Sequence, residues 1–324
     1  MAQVLNVADL QVAFFTYYGV VRAVNHISFT IERDQTLGIV GESGSGKSVT
    51  ATSVMGLIQE PGAIVGGSVS LIGEDLFSLS KAQWERVRGS KISMCFQNPM
   101  RALNPVLRVG EQITRVYLRH TQDTRRNARS HATALLNSVN IPDPERVMTR
   151  YPHQLSGGMC QRVMIVMAIA CDPVLLILDE PTTGLDVTIQ KQLIHVLLDL
   201  RERSNASQWL ITHDLGVVAN MCDQVAVMYA GRIMEEGNVF QVFEEPAHPY
   251  TRALLESIPQ VEERNTVASI PGSVPDALSL PNGCPFHPRC TQCMSICKTE
   301  LPTLSSLSET HKIACHLHSS PRGG

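Results

Sequence analysis

The chain has 324 residues, 44% hydrophobic and 18% charged, which supplies at least one full core and excludes a disordered or collagen-like polymer. Lysine plus arginine number 27 against 30 aspartate plus glutamate, a formal net charge of −3, so no global basic field marks a nucleic-acid binder. A nominal ~150 residues per domain suggests two units.

Residues 4–40 read as short strands, at 4–7, 10–15, 23–31 and 36–40, separated by turn residues. The last is bounded by glycine and should be buried. From Lys47 to Ile58 the pattern turns helical, and Pro61-Gly62 ends it. Roughly 100–160 is polar and helical, with Arg115, Arg119, Arg125, Arg126 and Arg129. Such a basic stretch reads first as a solvated helix face, with a phosphate or partner contact as the alternative. The run Val174-Leu175-Leu176-Ile177-Leu178 is unalternated, as in a strand buried on both faces of a parallel sheet. Trp209-Leu210-Ile211-Thr212 is another such run.

The most apolar stretch, 163–178, is broken by Asp172 and Pro173 into runs of nine and five residues, well below the ~18 that span a bilayer. The opening Met1-Ala2-Gln3-Val4 lacks the basic and apolar regions of a secretory signal, so a cytosolic chain is expected. After Gly237 prolines accumulate and long periodic segments cease. A boundary near 240 follows, dividing a nucleotide-type domain, 1–240, from a small appendage, 241–324. Of nine cysteines, five fall within the last 41 residues: Cys284, Cys290, Cys293, Cys297 and Cys315. In a reducing compartment such a cluster favours a metal or cofactor over disulfides.

Gly41-Glu42-Ser43-Gly44-Ser45-Gly46-Lys47-Ser48 fits G-x-x-x-x-G-K-[ST], with a strand before it and a helix after it. Its glycines permit a tight backbone whose N–H groups surround anionic oxygens, and the helix N-terminus adds partial positive charge. Lys47 should reach the β and γ phosphates of a nucleotide, and Ser48 should give a hydroxyl to Mg²⁺. Asp179-Glu180 end the buried strand. One carboxylate there can hold Mg²⁺ through water while its neighbour orients or deprotonates an attacking water.

Leu155-Ser156-Gly157-Gly158-Met159 resembles the signature sequence of ABC ATPases, and other motifs follow in the family's order. Gln97 in Phe96-Gln97-Asn98-Pro99 resembles the Q-loop, Gly184-Leu185-Asp186 the D-loop, and His213 in Ile211-Thr212-His213-Asp214 the switch histidine. Over about 1–240 the resemblance implies an α/β fold: an ABC-type P-loop NTPase core with an antiparallel β subdomain and a helical subdomain at about 100–160. It implies ATP contacts at Gly41, Ser43, Gly44, Gly46, Lys47, Ser48 and Val49, Mg²⁺ held by Ser48, Gln97 and Asp179, and catalytic roles for Glu180, His213 and Gln97. Ser156, Gly157 and Gly158 would serve the nucleotide of the opposite subunit, with Asp186 in the D-loop. Met159 stands where glutamine is commoner, which bears on that interface. Tyr18 lies about where the family stacks an aromatic ring on adenine; Phe15 and Tyr17 compete for the role, and core packing is the alternative.

Ala247-His248-Pro249-Tyr250-Thr251 and Gly283-Cys284-Pro285-Phe286-His287-Pro288-Arg289-Cys290 resemble the C-terminal extension of the oligopeptide, dipeptide and nickel importer ATPases. Cys284, Cys290, Cys297 and Cys315, spaced C-x5-C-x6-C-x17-C, could hold an iron–sulfur cluster or zinc, or stay reduced and unliganded. The resemblance favours a [4Fe–4S] cluster, with Cys293 a bystander. It also implies the partners of a binding-protein-dependent importer: a second ATPase subunit, by preference a paralogue, two membrane permease subunits and an extracytoplasmic solute-binding protein, but no nucleic acid. The chain would sit peripherally on the cytoplasmic face of a bacterial inner membrane. Peptide is the first choice of substrate, and a nickel or metal chelate or another small solute the second. A soluble ABC ATPase acting on DNA or the ribosome is the competing class; the paired domains, long coiled coils or zinc-finger insertions common there are not visible.

Overall fold

The computed structural model describes residues 2–203, 206–257 and 270–318. The chain divides into two units that interleave along the sequence: Met1–Val4, Ile31–Asp34 and Ser78–Leu210 form the first, and Leu5–Thr30, Gln35–Phe77 and Ile211–Gly324 the second.

In the first unit the unalternated runs become parallel strands. Ile92–Cys95 pairs with Leu175–Asp179, Ile92 opposite Leu175 through Cys95 opposite Leu178, and Ser207–Ile211 lies on the other side of Leu175–Asp179. Every residue of the three is buried, which explains why no polar alternation interrupts them. Helices Val109–His120, Arg125–Ser138, Pro144–Met148 and Gly157–Ile169 pack together from apolar stripes. Ala128, Ala132 and Leu136, four apart, face inward from Arg125–Ser138. Thr124 caps that helix by accepting the Asn127 N–H at 3.2 Å. The arginines on this part of the chain do face solvent: Arg115 pairs with Glu111 at 2.6 Å and Arg119 with Glu85 at 2.6 Å, both guanidinium side chains more than half exposed.

In the second unit four strands form an antiparallel sheet in the order Gly19–Glu32, Gln3–Thr16, Gly62–Leu71, Glu74–Asp75. Gln3–Thr16 is one strand where the sequence suggested two. Asp9, with φ 53°, marks an irregularity between Ala8 and Gln11 and not a turn, so pairing continues from Leu5 opposite Leu71 to Phe14 opposite Gly62. Thr36–Val40 runs parallel to Gln224–Tyr229, Leu37 opposite Gln224 and Val40 opposite Val227. Arg232–Asn238 follows antiparallel, then Lys312–Ile313 and Ser305–Ser306.

The described part of the segment beyond 240 packs within this second unit through a few strong anchors and little periodicity. Tyr250 and Phe286 are buried, their rings 5.3 Å apart, and Tyr229 stands 4.6 Å from Tyr250. The Glu235 carboxylate is fully buried; it accepts the N–H groups of Ala247 at 2.7 Å and His248 at 2.9 Å and meets His311 Nε2 at 2.7 Å. A buried carboxylate so satisfied orders three separate pieces of chain. Among the described residues no helix is long and apolar enough to cross a membrane.

Candidate active site

The phosphate loop belongs to the second unit. Lys47 is buried, and its ammonium turns back to donate to the carbonyls of Gly41 at 2.7 Å and Glu42 at 2.9 Å. That geometry shapes the loop as a ring of backbone around a cation, with Ser43, Gly44 and Ser48 exposed and Val49 half-buried. Gly46 has φ 100°, and a Cβ there would stand 2.3 Å from the carbonyl oxygen of Ala23, so this position admits only glycine. Helix Lys47–Val54 starts immediately after it with no side-chain cap, and its N-terminus brings partial positive charge to the loop. Tyr17 and Tyr18 are 98% and 84% exposed, edge to face at 5.5 Å, and Phe15 is 54% exposed. His213, also in this unit, is exposed between two fixed neighbours. Thr212 Oγ1 accepts the Asp214 N–H at 3.0 Å, and Asp214 caps helix Leu215–Met221 through the Val217 N–H at 3.2 Å.

The first unit carries the carboxylates and the signature. Asp179, 5% exposed, closes its strand. Glu180 follows with φ 48°, a left-handed conformation costly for a side chain with a Cβ and typical of functional sites. Its Oε2 accepts from Gln97 Nε2 at 3.1 Å and from Thr183 Oγ1 at 2.7 Å. The structure thus joins two residues predicted separately and adds Thr183, which sequence reasoning missed; its place in Pro181-Thr182-Thr183 just after the carboxylates was the available signal. Asp186 Oδ1 accepts the N–H groups of Thr188 at 3.1 Å and Ile189 at 3.0 Å, where helix Val187–Arg203 begins. Ser156 caps helix Gly157–Ile169, its Oγ accepting the Met159 N–H at 3.3 Å. The two glycines behind it differ. A Cβ on Gly158 would come within 2.7 Å of Ile189 Cγ2, whereas one on Gly157 would meet nothing within 4 Å.

The four-cysteine proposal needs correction. Among the described residues no group of three or more His, Cys, Asp or Glu side chains is placed to hold a metal ion, and the comparisons with known proteins support neither an iron–sulfur cluster nor zinc at Cys284, Cys290, Cys297 and Cys315. None of the four forms a disulfide among the described residues. Burial pushes the Cys284 thiol up to about 12 and raises those of Cys290 and Cys315, and neighbouring cysteines add to each shift. Spacing along the chain suggested a staple; the aromatic and Glu235 anchors supply the cohesion instead.

Also missed was the environment of Glu42 in the phosphate loop. Its N–H donates to the Tyr250 hydroxyl at 2.9 Å, and its carboxylate meets the Arg289 guanidinium at 2.7 Å. Both partners lie in the segments read above only as markers of a subfamily.

Residues 24–183 match the ABC transporter family, and residues 234–297 match the oligopeptide/dipeptide transporter C-terminal region. The chain is 48% identical over 299 residues to the oligopeptide transport ATP-binding protein OppD of Escherichia coli, covering 92% of this chain and 88% of that protein. Against the oligopeptide transport ATP-binding protein AppD of Bacillus subtilis, identity is 46% over 320 residues, 98% of each chain. Against the dipeptide transport ATP-binding protein DppD of Escherichia coli it is 45% over 313 residues, 96% of each. The fold is similar to that of a dimeric ATP-binding cassette in a post-hydrolysis state bound to ADP and phosphate, with TM-score 0.66 at 23% identity over 72% of this chain and 98% of the other. It is also similar to cbiO1 from Clostridium perfringens, TM-score 0.63 at 25% identity over 76% and 92%. With its phosphate loop, its paired carboxylates and this extent of identity, the chain belongs to the ABC transporter family, among the oligopeptide and dipeptide transport ATP-binding proteins.

Proposed function

We propose that the chain hydrolyses ATP as the energy-coupling subunit of a binding-protein-dependent importer of di- and oligopeptides. It works beside a second, paralogous ATPase at the cytoplasmic face of a bacterial membrane that two permease subunits cross. Peptide as substrate rests on the names of the relatives, which are oligopeptide and dipeptide transport proteins.

The observation that carries the catalytic reading is Glu180, held between Gln97 and Thr183 on a left-handed backbone. A carboxylate so fixed is preorganised to orient water and take its proton. Lys47, already surrounded by loop carbonyls, exchanges those acceptors for the β and γ phosphates, while the N–H groups of Gly44 to Val49 receive the remaining oxygens. Tyr18 stacks on the adenine. The hydroxyl of Ser48, the amide oxygen of Gln97 and the carboxylate of Asp179 are hard oxygen donors suited to Mg²⁺, which when bound neutralises charge on the phosphates. His213 senses the γ-phosphate. Ser156, Gly157 and Gly158 address the nucleotide of the partner ATPase, which gives Gly157 the neighbour that its own chain does not provide. ATP draws the two ATPases together, the permease follows, and hydrolysis resets both.

Glu180→Gln should bind MgATP normally yet lose about 10²-fold or more in turnover, the usual scale for a general base. Undiminished hydrolysis in a steady-state phosphate-release assay would refute the assignment.

A further inference from the structure

Arg289 is spent on a partner that the reaction above does not use. Its side chain is 3% exposed and forms a fork on Glu42, Nη1 donating to Oε2 at 2.7 Å and Nη2 to Oε1 at 3.1 Å. Its remaining donors are occupied too: Nε by the Pro271 carbonyl at 2.9 Å, Nη2 also by the Ile270 carbonyl at 3.2 Å, and Nη1 also by the Tyr229 hydroxyl at 3.3 Å. Such a bidentate pair fixes direction as well as distance.

Glu42 is the residue on which this fork acts, and it is held at three points. Arg289 holds the carboxylate, the Tyr250 hydroxyl accepts its N–H at 2.9 Å, and Lys47 donates to its carbonyl at 2.9 Å. Two of these three come from beyond residue 240, and the third is the lysine that meets the phosphates. There is also a charge argument. A carboxylate in a loop built to receive a polyanion opposes binding unless its charge is cancelled, and Arg289 cancels it at contact distance. No other ion pair to Glu42 is present among the described residues.

We propose that Arg289 is a positioning residue for the nucleotide site: through Glu42 it sets the shape and charge of the phosphate loop, so that the C-terminal segment tunes affinity for the nucleotide. The proposal rests on the reading of that loop as an ATP site. Arg289→Ala removes the fork and leaves an uncompensated carboxylate in the phosphate loop. Glu42→Ala removes the carboxylate as well as the fork. The two changes therefore interact, and the second repairs part of the first.

The test uses the full chain and a non-hydrolysable ATP analogue with Mg²⁺, titrated calorimetrically, with a thermal melt of each variant. Arg289→Ala should weaken binding about tenfold, within the range measured for contacting residues. Adding Glu42→Ala to it should tighten binding again, to the level of Glu42→Ala alone, a rescue that mere damage to the fold does not produce. Should Arg289→Ala fail to fold, Arg289→Gln with and without Glu42→Ala carries the same comparison, since glutamine keeps bulk and some hydrogen bonding but neither the charge nor the fork. Wild-type affinity in the Arg289 variants, or losses that simply add, would overturn the proposal. If the wild-type chain does not bind the analogue, or Lys47→Ala binds it equally well, the ATP reading fails and not the role of Arg289.

Discussion

The contrast between Gly157 and Gly158 separates what a signature sequence owes to its own fold from what it owes to a partner. Gly157 opens helix Gly157–Ile169, and a Cβ there meets no atom within 4 Å. Replacing glycine by alanine where the backbone permits it stabilises a protein by roughly 0.4–1 kcal/mol, chiefly by restricting the unfolded chain. Gly157→Ala should therefore raise the melting temperature, by about 1–3 °C on the size scaling of unfolding entropy. Gly158→Ala should do the opposite: its Cβ would lie 2.7 Å from Ile189 Cγ2, on a β-branched side chain with little rotamer freedom. Overpacking of that kind costs roughly 1–3 kcal/mol. On the proposed trans contact, however, the Gly157→Ala methyl would intrude between a backbone N–H and the partner's nucleotide, and loss of one such donor costs about 10²-fold in turnover. A stabilised chain with crippled ATPase activity is the expected pair of results, read by calorimetry and by phosphate release from the purified complex. A Gly157→Ala complex with undiminished turnover would remove Gly157 from the proposed trans site.

Thr183→Ala deletes a donor to Glu180 and should lower kcat about fivefold while leaving KM for ATP unchanged, as expected for a neutral hydrogen bond worth ~1 kcal/mol; an altered KM with intact kcat would contradict the orienting role. Burial pushes His248 down to about 3 from its ordinary 6.5, and its Nδ1 accepts the Tyr250 N–H at 2.9 Å. The unfolded chain therefore takes up this proton first, so the stability due to neutral His248 is complete above pH ~6.5 and falls toward pH ~3, by about 1.4 kcal/mol per unit. His248→Asn, which keeps an acceptor without titrating, should flatten the melting temperature against pH between 6.5 and 4, and parallel curves would refute the assignment.

Local chemistry was legible in the sequence where one short stretch contains the whole device. The phosphate loop needs only its glycines, Lys47 and the flanking strand and helix, and all lie within 36–54. Unalternated apolar runs likewise announced two of the buried strands, Leu175–Asp179 and Ser207–Ile211, while Ile92–Cys95, with Ser93 inside it, was not read as one. What pairs across distance was not legible. Glu42 and Arg289 are 247 positions apart, and nothing in either neighbourhood signals a charged partner elsewhere. The proline-rich end hid its order for a related reason: Tyr250, Phe286 and a buried carboxylate hold it, none of which produces a hydrophobic period. Cysteine spacing misled on ligation and not on proximity: Cys290, Cys297 and Cys315 lie near enough to Cys284 to raise its pKa, yet among the described residues no group is placed to hold a metal ion. Asp9 misled on a smaller scale, since a residue suited to turns also suits a bulge.

The hairpin of Ser305–Ser306 and Lys312–Ile313 lies along Arg232–Asn238, where an otherwise open row of N–H and C=O groups would invite another chain to add on. Two-residue strands bearing serine and lysine make a poor template for further addition, so they terminate growth as well as cover it. Trimming the chain to the stretch that bears the ATP motifs would therefore yield a sticky fragment prone to self-association, not a minimal catalyst.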